Sequence, residues 1–129
     1  MIRIADTHSL LWFLENDRRL TAKARGAMAD LTGRLVVPTI VAGEIWHLCQ
    51  RRRVTSIFED LLGKWSRIRN IEFAPLDVAL FPLLPAGFEL HDAIIIATAR
   101  SFSALTKEPV AIVTKDADIS EKSGVEIIW

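Results

Sequence analysis

The feature that most limits how this chain folds is a set of five short apolar runs, at residues 2–5, 35–37, 71–74, 110–113 and 125–128. Each is too short to be a helix, and the non-alternating, β-branched ones suit strands buried on both faces of a sheet. Between them, apolar spacing predicts helices over residues 8–15, 21–30, 39–52, 56–69, 77–84 and 92–103. Such alternation implies a central, mainly parallel twisted sheet of about five strands flanked by helices and joined by right-handed crossovers. The proline-bearing stretch at 82–87 predicts a loop inside the domain, not a boundary. No repeat or linker divides the 129 residues, so residues 1–129 are expected to form one α/β domain around one core.

Half of the residues are apolar and 25% are charged, an ordinary globular composition rather than a disordered one. No apolar run approaches the roughly 18 residues needed to span a bilayer, and the N-terminus lacks a signal-peptide layout. The single cysteine, Cys49, rules out an internal disulfide framework and fits a reducing compartment. The expected location is therefore cytoplasmic, with no membrane partner. Sixteen basic residues balance sixteen acidic ones, which disfavours an obvious polyanion binder. If four acids gathered around a metal, however, the remaining surface would carry +4, mildly favourable for a phosphate-rich partner.

Four acids stand in unusual places. Asp6 follows the first apolar run directly, and Asp116 follows the fourth after Thr114 and Lys115. In open α/β sheets, ligands bind beyond the carboxyl ends of the strands. Glu44 falls within a helical stripe formed by Ile40, Val41, Ile45 and Leu48, where an unpaired carboxylate is costly. Asp92 opens the helix at 92–103 on the face of Ile95, Ile96 and Ala99. Taken singly, Asp6, Asp92 and Asp116 read either as helix caps or first-turn acids or as cation ligands. Glu44 reads either as half of a buried ion pair or as a ligand. Their joint occurrence favours one shared pocket.

Asp6-Thr7-His8 with Leu10, Leu11, Trp12 and Leu14 behind it, Glu44-Ile45, His91-Asp92-Ala93 running to Thr98-Ala99, and Thr114 with Asp116 together resemble the PIN domain. More narrowly, they resemble the VapC-type ribonuclease toxins of bacterial and archaeal toxin–antitoxin pairs. The likeness covers nearly the whole chain, including the terminal stretch from Gly124 to Trp129. It implies a metal-dependent endoribonuclease whose pocket acids are Asp6, Glu44, Asp92 and Asp116, both catalytic and metal-holding. Asp118 would assist or replace Asp116, and the Thr7 and Thr114 hydroxyls would orient carboxylates. The implied cofactor is Mg²⁺ or Mn²⁺, and the implied partners are an RNA substrate, a cognate antitoxin and a second copy of the chain. The implied products carry a 5′-phosphate and a 3′-hydroxyl.

The chemistry has its own logic. Phosphodiester hydrolysis needs an activated water and neutralised phosphate charge, which a divalent ion on carboxylate oxygens supplies. Gathered carboxylates without an ion repel one another, so at least one pKa should rise.

Other residues admit plainer readings. Glu44 and His47 match half of a di-iron pattern, but that site needs two such motifs on a four-helix bundle. His8 and His91 adjoin pocket acids and read as loop or substrate-facing groups. Arg51, Arg52 and Arg53 close a helix, either complementing its dipole or contacting an RNA backbone. The apolar helix around Leu10 to Leu14 is either wholly buried or part of an interface, and core packing is the expectation for Trp46, Trp65 and Cys49. Two competing functions are a non-catalytic protein- or RNA-binding module of the same fold and a receiver-like phosphoacceptor. The second fits poorly, because receivers carry paired acids after the first strand and an acceptor Asp after a middle one.

Overall fold

A computed structural model describes residues 1–129. Five parallel strands, β1 (Ile2–Ala5), β2 (Arg34–Pro38), β3 (Ile71–Ala74), β4 (Val110–Val113) and β5 (Glu126–Ile128), form one sheet in the order β3-β2-β1-β4-β5. The helices are α1 (Thr7–Leu14), α2 (Ala22–Ala29), α3 (Thr39–Gln50), α4 (Phe58–Trp65), α5 (Leu90–Leu105) and α6 (Ala117–Lys122). From β1 the chain steps outward to β2 and β3, then returns to lay β4 against the other side of β1. β1 is therefore central, and the order reverses between it and β4, which is where open α/β sheets hold ligands. The receiver-type order 2-1-3-4-5 is absent.

All four residues of β1 and of β4 are buried, as are Leu35, Val36 and Val37 of β2, which explains their apolar character apart from Arg3, whose guanidinium pairs with Asp30. Edge strand β3 differs, with Phe73 exposed at 40%. Helix α1 buries Leu10, Leu11, Trp12 and Leu14 in the core, with Phe13 partly buried against it. Helix α5 packs on β1, β2 and β4 through Ile95, Ile96 and Ala99.

Several elements depart from the sequence expectation. The helix predicted at 77–84 is a 3₁₀ turn over Val78–Leu83, capped by Asp77, whose carboxylate accepts the Ala79 N–H at 2.8 Å. Pro82 explains this: it lacks an N–H and its ring would crowd the carbonyl one α-turn back. The predicted loop therefore begins inside that turn. Helix α4 is shorter than the predicted 56–69, and α5 is longer than 92–103, so Asp92 sits in its first turn rather than at its cap. Helix α6 was not predicted, since six residues are too few to show periodicity. Trp46 is 48% exposed, not in the core, because it follows Ile45 by one residue and so points off the buried stripe. Cys49 is only half-buried at the core's edge, and Trp65 packs edge-on against Phe58 and Phe73.

Candidate active site

The register of the central strands places the first two acids. Ala5 pairs with Val113, so the residues that follow, Asp6 and Thr114, emerge side by side at the sheet's carboxyl edge. Asp6 caps α1, its Oδ1 accepting the Ser9 N–H at 2.8 Å, while its Oδ2 accepts the Thr114 hydroxyl. That hydroxyl also accepts the Asp116 N–H at 3.0 Å. Asp116 in turn caps α6, with Oδ1 accepting the Ile119 N–H at 2.9 Å. Capping and pocket-lining are thus not alternatives for these two residues. Each does both.

Glu44 comes from the middle of α3, where Val41 and Ile45 beside it are buried. Its Oε2 accepts the Thr7 hydroxyl at 2.7 Å, which turns the carboxylate toward Asp6 instead of leaving it unpartnered in the core. Asp92, in the first turn of α5, completes the group. Asp6, Glu44, Asp92 and Asp116 line one open pocket of about 660 Å³, with His8 and His91 on its wall.

Two further charged residues lie there that sequence reasoning did not assign. Glu89 stands three residues before Asp92, at the cap position of α5, and makes no capping bond. The i,i+3 spacing was the available signal. Lys115 lies between Thr114 and Asp116 and is the one Lys or Arg side chain in the pocket wall. Asp118 is elsewhere: its side chain is 68% exposed and accepts from Lys122 Nζ at 2.9 Å. Arg51, Arg52 and Arg53 also lie outside the pocket. The helix ends before them, Arg52 takes a left-handed φ of 52°, and the three side chains part company. Arg53 faces a groove next to the pocket, whereas Arg52 faces a hollow beside Trp46.

Burial, more than the crowding of like charge, raises the pocket acids. Burial, then the charges of Asp116, Asp6 and Glu44, push the Asp92 carboxyl above the ordinary aspartate range. Burial also pushes Asp6 up, opposed by its bonds from Thr114 and Ser9. Helices α1, α5 and α6 all begin at the pocket, and their N-terminal dipoles offset part of the repulsion.

These residues suit a hard divalent cation. Asp92 receives no hydrogen bond that lowers its pKa, and Glu44 Oε1 and Asp116 Oδ2 are free to coordinate. All the donors are oxygens, the set that Mg²⁺ or Mn²⁺ prefers. No three side chains close into a ready-made cage.

A parallel α/β sheet with an acidic pocket at its reversal point defines a class of ligand-binding domains. Within that class, residues 3–125 match the PIN domain model, and the chain belongs to the PIN domain family, whose members are generally nucleases. Among solved structures it is similar to a chain in the crystal structure of VapBC2 from Rickettsia felis bound to a DNA fragment from their promoter. The TM-score is 0.66 at 11% identity, covering 98% of this chain and 97% of that one. At that identity the likeness is one of fold. No curated protein matches the chain in sequence. No helix is long and apolar enough to cross a membrane.

Proposed function

We propose that this protein is a metal-dependent endoribonuclease, the toxin of a VapC-type toxin–antitoxin pair, acting through Asp6, Glu44, Asp92 and Asp116. The observation that carries the reading is the convergence of these four carboxylates, from four separate segments, at the reversal point of a PIN-family sheet. Asp92, Asp116 and Asp6 would hold Mg²⁺ or Mn²⁺ directly or through water. Such an ion, when bound, neutralises phosphate charge and lowers the pKa of a water. Thr114 fixes the plane of Asp6, and Thr7 fixes that of Glu44, whose free oxygen either joins the ion or orients the attacking water. In-line attack on phosphorus breaks the bond to the 3′-oxygen, leaving a 5′-phosphate and a 3′-hydroxyl. No histidine base is required. The same reading implies a cognate antitoxin that covers the pocket and a second copy of the chain as partners, and it treats residues 1–129 as one nuclease domain.

The test is incubation of the purified protein with RNA in Mg²⁺ or Mn²⁺, alongside Asp6→Asn and Asp92→Asn. Metal-dependent cleavage lost in both variants is the expected result. Cleavage that survives in both refutes the site, and no cleavage by the wild type refutes the activity in favour of a binding module.

A further inference from the structure

Lys115 is the one cation of the Lys and Arg type in a pocket with five carboxylates, yet it forms an ion pair with none of them. Its ammonium instead sits 5.4 Å from the centre of the Trp12 ring. That ring is held firmly: Trp12 is 5% exposed and packs against Trp129 and His8, with ring centres 6.0 and 5.5 Å away. Arg19 lies over the same ring at 4.8 Å. Trp12 and His8 belong both to the acid pocket and to the adjoining groove that carries Arg19 and Arg53. The two acids of that groove are already engaged. Glu15 accepts the Ser56 hydroxyl, and Asp17 accepts from Arg19 Nη2 at 2.8 Å. Arg53 has no ion-pair partner.

Building on the nuclease reading, we infer that Lys115, seated on Trp12, opens an RNA-backbone track that leads from the pocket past Trp12 to Arg53, the groove cation that no acid holds, whereas Arg19 is tied to Asp17. Lys115 takes the phosphate next to the scissile one, and Arg53 takes a phosphate further along. Five carboxylates repel an incoming polyanion, and a cation held on an indole face keeps its charge aimed at the phosphate. A cation paired with a pocket acid would be spent on neutralising that acid. Backbone contacts of this kind set register and affinity without reading sequence. Lys115 is a positioning residue in this scheme and takes no part in the bond-breaking step.

The experiment compares wild type, Lys115→Gln, Lys115→Arg and Arg53→Gln. Cleavage kinetics are measured in Mn²⁺, and binding of a labelled single-stranded RNA is measured across a KCl series with Ca²⁺ as the divalent ion. Lys115→Gln should raise KM by about fivefold or more with kcat little changed, since a charge-assisted contact is lost. The slope of log affinity against log salt should become shallower by about 0.7, the value for one phosphate contact to a single strand. Arg53→Gln should do the same, and Lys115→Arg should restore the wild-type slope. The thermal upshift with Mn²⁺ should persist in Lys115→Gln, because no metal-holding group is altered. A wild-type enzyme that cleaves RNA, beside a Lys115→Gln variant with unchanged KM and salt slope, overturns this inference and leaves the nuclease reading standing. A fall in kcat at constant KM also overturns it, since Lys115 would then act in the chemistry. Wild type that neither binds nor cleaves RNA overturns both.

Discussion

The hydroxyl of Thr114 donates to the carboxylate of Asp6, a residue 108 positions earlier in the chain, and accepts the backbone N–H of Asp116. One buried side chain thereby ties together two acids at the ends of adjacent central strands. Thr114→Val keeps the shape but leaves Asp6 without this donor and Asp116 with an unsatisfied N–H. The bond holds the Asp6 pKa down, so its loss should move the acidic limb of the pH–rate profile to higher pH. Unfolding free energy should fall by about 1–2 kcal/mol. Rate measurements from pH 5 to 8 and urea titration check the two effects.

Asp92 is raised by burial and by three neighbouring carboxylates. Its native-state pKa exceeds the unfolded one, so stability is lost as pH rises through the folded value. Metal-free Asp92→Asn should accordingly be more stable than wild type at pH 7, with the gain shrinking as the pH is lowered. Millimolar Mn²⁺ or Mg²⁺ should raise the melting temperature of the wild type and do so far less in the variant. Scanning calorimetry with and without the ion tests both statements, and a flat response of the wild type would count against a metal site.

Asp30 behaves in the opposite sense. The Thr32 hydroxyl and N–H, then the Arg3 guanidinium at 2.7 Å, hold its carboxyl down to about 2. A depressed carboxylate contributes stability above its unfolded pKa of about 3.9, and that contribution fades as pH falls toward 2. Metal-free protein should thus gain stability on mild acidification, as Asp6 and Asp92 take up protons, and lose it below about pH 4. Asp30→Asn should flatten the lower limb alone, as read by denaturation midpoints between pH 2 and 5.

Gly33 precedes β2 at the amino edge of the sheet, away from the pocket. A Cβ there would lie 1.9 Å from Arg3 Nη1 and 2.7 Å from the Met1 carbonyl oxygen. Arg3 is buried and paired with Asp30, so the guanidinium has little room to yield. Gly33→Ala should cost about 1–3 kcal/mol in chemical denaturation, the usual range for overpacking. The Mn²⁺ thermal shift should survive, because the acids lie at the opposite end of the strands.

The three arginines after α3 should not act alike. Arg53 faces the groove that adjoins the pocket, whereas Arg51 does not. Arg53→Ala should flatten the salt dependence of RNA binding by about 0.7, and Arg51→Ala should leave it unchanged. Equal effects from both would mean that the cluster acts only through diffuse charge.

How much could be read from the chain follows from the range of each signal. Strands β1, β2 and β4 were legible because burial on both faces leaves a local mark, a short apolar run rich in Ile and Val, interrupted in β1 by Arg3. The 3₁₀ turn at Val78–Leu83 and helix α6 were not, because a few residues carry no period and their caps decide them. Asp6 and Asp116 stood out because they follow strand runs, and Glu44 because it interrupts an apolar stripe.

Glu89 gave only its i,i+3 spacing from Asp92, and Lys115 gave no sign of its own. An exposed charge beside a helix start looks the same whether it faces a pocket or open solvent. Asp118, two residues from Asp116, was indistinguishable from a pocket acid until α6 turned it outward to Lys122. By itself, then, the sequence determined which segments are strands and which acids stand at their ends, since both are properties of neighbours along the chain. Only the tertiary structure decided which of those acids meet. Laying β4 beside β1 places Asp6 next to Thr114, and α3 and α5 bring Glu44 and Asp92 to the same pocket. Contacts across a hundred residues depend on strand order, which no local pattern encodes.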